Sequence, residues 1–134
     1  MRREFSLPQF DVDYLNTLGL QWETLGGAGG THWLLIHEWP IKAGYNVDRA
    51  TVALQLPSNY PDGQIDMAYF NPHLARKDGK PIDRASSFQQ VDGRSFQRWS
   101  RHRTTVAPWR PGEDDVSSHL VLVDDWLERE LEKR

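Results

Sequence analysis

The sequence has no cysteine in its 134 residues. That excludes disulfides, thiolate zinc sites, iron–sulfur clusters and thiol nucleophiles, so no thioester can form on this chain. Long apolar runs are also missing. The longest are Trp33–Ile36 and Leu120–Val123, far below the roughly 20 residues that a membrane helix needs. Met1–Phe10 contains no apolar stretch of the secretory kind, so a cytoplasmic location is expected. Excess charge is small: 16 Lys and Arg against 19 Asp and Glu give −3, which argues against nucleic acid as a general partner. The five histidines form no His-x-x-x-His pair, so no metal is expected. Gly26–Gly30 lacks the following Lys and Ser or Thr of a phosphate loop. No cofactor is expected either.

What is present is aromatic mass. Six Trp, five Phe and four Tyr supply a packed core. The length suits a single domain over residues 1–134. Asp11–Leu18 predicts a short helix, capped by Asp11 and ended by Gly19. Leu20–Leu25 alternates as a strand, and the glycine run turns it back into a hairpin over residues 20–39. His32–Trp39 is nearly all apolar, as an interior strand should be. Arg49–Leu56 alternates clearly, and Gln64–Phe70 predicts a fourth strand. Residues 71–112 show little periodicity and are read as a long ordered segment, with one short element near Phe96–Trp99 and turns at Asp78-Gly79 and Asp92-Gly93. Val116, Leu120, Val123, Leu127 and Leu131 then form a helical stripe, capped by Asp114 or Asp115. The expected class is α+β: a four-strand antiparallel meander between terminal helices.

Two stretches carry polar chemistry. In Asn71-Pro72-His73, an Asn held at a strand end can aim its amide at a developing oxyanion, or simply close an Asx turn. His73 and His102 are candidate general bases, with Ser95 or Ser100 as the hydroxyl that such a base activates. The second stretch holds Arg94, Arg98, Arg101 and Arg103 around Trp99. Guanidinium forks match carboxylates, so these residues can bind an acidic partner. Arginines with Trp99 and Trp109 can also bind phosphates and stack bases. Equally, the arginines can pair with the acidic last helix while Trp99 fills the core.

Further strings are His32-Trp33-Leu34-Leu35-Ile36, Gly44-Tyr45-Asn46, Leu56-Pro57-Ser58-Asn59-Tyr60-Pro61, Asp66-Met67, Gln97-Arg98-Trp99-Ser100-Arg101-His102-Arg103 and Trp109-Arg110-Pro111. In these the chain resembles the ubiquitin-conjugating enzymes, and among them the small bacterial branch called prokaryotic family E. The resemblance runs from about Leu7 to Leu131. It implies a ubiquitin-conjugating-enzyme-like fold. It also implies a bacterial ubiquitin-like context, with a ubiquitin-like protein, an activating enzyme or a JAB-type peptidase as partner.

The resemblance also implies where a thiol belongs. In the family a His-Pro-Asn tripeptide precedes the catalytic cysteine, which lies beyond a glycine. Here the tripeptide is Asn71-Pro72-His73, with its outer residues exchanged, and Gly79 leads into Lys80-Pro81-Ile82-Asp83. Neither Pro81 nor Ile82 can carry an ester. The expectation is therefore a cysteine-free relative that binds rather than transfers, through Arg94, Arg98, Trp99, Arg101 and Arg103. The alternatives are a non-thioester enzyme using His102 or His73 with Asn71, and a nucleic-acid-binding module over residues 94–110.

Overall fold

The computed structural model describes residues 1–133. Helix α1 spans Gln9–Thr17. Pro8 stands at its start, and the Pro8 carbonyl accepts the Asp11 and Val12 amides. Asp11 was expected to cap this helix but lies buried inside its first turn. Its carboxylate reaches across to the last helix instead. Oδ1 accepts the Val116 amide at 3.1 Å and Oδ2 accepts the Tyr60 hydroxyl at 2.5 Å. One carboxylate thus ties three distant segments together.

Six strands make one antiparallel sheet: β1 Trp22–Gly26, β2 His32–Pro40, β3 Arg49–Leu56, β4 Ala68–Asn71, β5 Ser87–Val91 and β6 Arg94–Trp99. Their order is β1-β2-β3-β4-β6-β5. The expected hairpin, with β2 as an interior strand, and the four-strand meander are there, but the sheet does not stop at β4. The fourth strand starts later than the sequence pattern suggests, because Met67 takes a left-handed φ of 55° that extended pairing does not tolerate. The long segment after it is not mostly loop. Asp92 and Gly93 (φ 53° and 72°) form a two-residue turn, and β5 and β6 fold about it. Positive φ at both central residues matches the right-handed twist of the strands, which is why an Asp-Gly pair suits this turn. β6 then lies against β4.

Helix α2, Val116–Glu132, starts at a capping box in which Asp115 accepts the Ser118 amide and the Ser118 hydroxyl accepts the Asp115 amide. Both helices cover one face of the sheet. There Leu34, Ile36, Val52, Leu54, Phe70 and Trp99 meet Leu15, Leu120, Val123 and Leu127. The opposite face carries a second buried cluster, from Leu25 and Trp33 across Tyr69 to Phe96 and Val91. Those residues bury each other because the sheet curls. The β5–β6 turn comes round to the N-terminal segment, where Arg2 donates to Asp92 at 2.6 and 2.9 Å and to Glu23 at 2.9 Å. The Arg2 hydrogen bonds hold Glu23 down to about 2.

Candidate functional site

Asn71 ends β4 on the strand that neighbours β6. Its amide donates to the Ser95 carbonyl at 3.0 Å. Two residues on, His73 Nε2 lies 3.2 Å from Ser95 Oγ, and the imidazole stacks on Phe88 with ring centres 4.8 Å apart. Phe88 is 61% exposed. The corner therefore assembles a carboxamide from the end of β4, an imidazole from the turn after it and a hydroxyl from β6, with the Phe88 ring of β5 beside the imidazole. The Asx-turn alternative for Asn71 is replaced by a cross-strand bond. Phe88 was not singled out from the sequence. Its signal lay in the Val91-Asp92-Gly93-Arg94 hairpin, which places residue 88 opposite Gln97 and beside the end of β4.

His102 does not join this corner. It lies beyond the opposite end of β4, where its Nδ1 meets Asp66 Oδ2 at 2.8 Å. The four residues of β4, Ala68 to Asn71, separate the two ends by about 10 Å. The structure brings Asn71 and His73 together with Ser95 and leaves His102 apart from them. Ser100 belongs to the His102 end as well, with its amide bonded to the Arg84 carbonyl.

The arginine segment divides in two. Trp99 is 0% exposed, donates to Gln97 Oε1 at 2.9 Å, and packs edge-on against Tyr45 and Phe70. It cannot be a surface anchor or a stacking platform for bases. Arg101 lies over the Trp99 ring and pairs with Glu130 of α2 at 3.0 Å. Arg103 lies over Trp109, donates to the Ile65 carbonyl and reaches His119 Nδ1 at 3.0 Å. These two arginines brace the fold. Arg94 and Arg98 do not. Arg94 stands exposed above Phe96, and the half-buried Arg98, opposite Tyr69, has a buried Nε without a hydrogen-bond partner. Both share the face of the sheet away from the helices.

The segment where the resemblance puts a thiol follows Gly79, whose φ is 78°. Lys80 and Pro81 are exposed, and Ile82 packs partly against the core. Beneath them Arg76, 7% exposed, donates to the Glu130 carbonyl at 2.6 Å, the Lys133 carbonyl at 3.0 Å and Asp78 at 2.6 Å. This guanidinium sits at the negative pole of α2 and adds a second donor to the Glu130 carbonyl, which also accepts the Lys133 amide. No thiol or hydroxyl side chain occurs from Lys77 to Arg84. Among the described residues no cluster of three or more His, Asp or Glu could hold a metal, and no helix is long and apolar enough to cross a membrane.

The model of the family described as prokaryotic E2 family E matches residues 7–130 of the 134-residue chain. No curated protein and no solved structure matches it. The fold agrees with the family match: an α+β arrangement with terminal helices against one face of an antiparallel sheet. This E2-like chain belongs to prokaryotic E2 family E.

Proposed function

We propose that the protein is a binding component, not an acyl carrier, of a prokaryotic ubiquitin-like conjugation system. One observation carries this reading: Pro81 and Ile82 stand where the family resemblance places the thiol, in a chain without cysteine. Its partner is a ubiquitin-like protein, with the activating enzyme or JAB-type peptidase of the same system as the alternatives, and its location is the cytoplasm. Arg94 and Arg98 are the surface that grips the partner's carboxylates, because their guanidinium groups are not spent on bracing α2. The tests are titrations with each of those three proteins from the same source. A salt-sensitive complex should weaken by about tenfold or more when Arg94 and Arg98 both become Ala, in line with loss of charge-assisted hydrogen bonds. An unchanged dissociation constant removes this surface.

A second reading is favoured by the 3.2 Å approach of Ser95 Oγ to His73 Nε2. In it His73 takes the hydroxyl proton as Ser95 attacks a carbonyl carbon, and the second Asn71 N–H faces the oxygen that gains charge. Activity on an ester substrate that disappears in Ser95→Ala supports it, and equal activity of that variant rejects it.

A further inference from the structure

Strand β5 lies at one edge of the sheet and reads Ser87-Phe88-Gln89-Gln90-Val91, with neither charge nor proline. Proteins normally blunt such edges with charge or proline, because a row of unpaired backbone groups pairs with any extended chain. The phase of this edge follows from its turn. A two-residue connection at Asp92-Gly93 makes Val91 and Arg94 the hydrogen-bonded closing pair. Alternation then aims Ser87, Gln89 and Val91 at β6, and turns the N–H and C=O of Phe88 and Gln90 outward. The same phase directs the Ser95 carbonyl away from β5, where Asn71 receives it. Among the described residues the outward groups have no backbone partner. The Gln90 carbonyl takes the neighbouring Gln89 carboxamide at 3.2 Å, a side chain standing in for a strand.

Beside this edge lies a cavity of about 370 Å³. Gln89–Asp92 form one wall, Leu25–Ala28 the other, and Trp33 and Gln55 lie between them. The size falls within the range of ligand sites, roughly 300–1,000 Å³. Its charges are largely engaged. Arg2 is held by Glu23 and Asp92, and Glu4 accepts the Gly26 amide. Arg2 set against Glu4 and Asp92 leaves one negative charge in excess, which repels an acidic ligand. The Gln55 and Gln90 carboxamides and the Trp33 indole N–H have no partner among the described residues. They are neutral donors and acceptors of the kind that peptide groups complement.

We propose that this slot receives an extended, uncharged segment from a partner protein, added as a seventh strand along β5 through Phe88 and Gln90. Backbone bonds supply the pairing, as in other strand-addition modes of recognition. Neither Arg94 nor Arg98 lines this cavity, and strand addition along β5 does not rest on binding at those arginines.

The probe is a capped peptide, acetyl-Thr-Val-Gly-Ala-Gly-Ser-amide, titrated into the ¹⁵N-labelled full chain. The Phe88 and Gln90 amide resonances should shift saturably, with half-saturation at or below about 1 mM, and their hydrogen exchange should slow. The same peptide with Thr and Ser replaced by Asp should bind at least about tenfold more weakly. Gln90→Pro removes one outward N–H without touching the β6 ladder and should abolish the shifts. Should that variant not fold, peptides N-methylated at every second residue decide the question: one phase should abolish the shifts and the other should leave them. No saturable shift at about 2 mM peptide, or equal loss from both methylation phases, overturns the proposal. Shifts of the same two amides on concentrating the protein alone also overturn it and assign the edge to a second copy.

Discussion

His119 offers a stringent test of how α2 is fixed to the sheet. Its side chain is fully buried between Met67, Arg103 and Trp126. Arg103 can only donate, so His119 Nδ1 is the acceptor, and Nε2–H donates to the Met67 carbonyl at 2.8 Å. That arrangement needs the neutral imidazole. Burial lowers the His119 pKa from 6.5 to about 4, with the Arg103 charge acting in the same direction. The unfolded chain takes up this proton below pH 6.5 and the folded chain does not. Stability is therefore full above pH 6.5, falls as the pH drops towards 4, and then levels for this residue. Between pH 7 and pH 5 the loss is roughly 2 kcal/mol, or about 7 °C in midpoint temperature for a chain of this size. The assay is unfolding followed by tryptophan fluorescence at both pH values. His119→Gln retains a donor for Met67 and cannot titrate, so over the same pH step it should lose less than about 0.5 kcal/mol. Parallel pH profiles for the wild type and the variant would show that His119 is not the group that titrates.

Arg76→Ala should destabilise by about 3 kcal/mol in denaturant titration, because it leaves Glu130, 2% exposed, with less compensation and uncaps the end of α2. A change below about 1 kcal/mol would show that Arg101 and Lys133 together satisfy Glu130. Asp115→Ala removes the capping box and should cost about 1 kcal/mol, with the faster exchange confined to the first turn of α2.

Much of the fold is legible in the sequence because its elements signal by period. β3 has the bounds that its alternation predicts, and the stripe from Val116 to Leu131 lies on α2. The β5–β6 hairpin was harder to read because β5 is short, polar and exposed, so it lacks an apolar alternation. The Asp-Gly pair was its one clear mark. The place of Asp11 is hidden in the sequence for a different reason. A capping residue and a buried cross-helix acceptor look identical in sequence, and only the approach of Val116 and Tyr60 separates them. The arginine string hid a similar division. Arg101 and Arg103 turn towards α2 while Arg94 and Arg98 lie on the far face, a difference set by where β6 ends at Trp99. The pairing of His73 with Ser95 depends on a hairpin that brings residues 22 positions apart together.

In the proposed function this E2-like chain binds its partner without carrying it. Mass spectrometry tests that most directly, on the full chain incubated with an activating enzyme, a ubiquitin-like protein and ATP from the same source. Native spectra should contain a complex of the chain with the ubiquitin-like protein. Denaturing spectra of the same mixture should return the chain at its unmodified mass. An adduct that survives denaturation, heavier by one ubiquitin-like protein less one water and released by hydroxide, would mean that the chain does carry its partner, with Ser95 as the candidate hydroxyl.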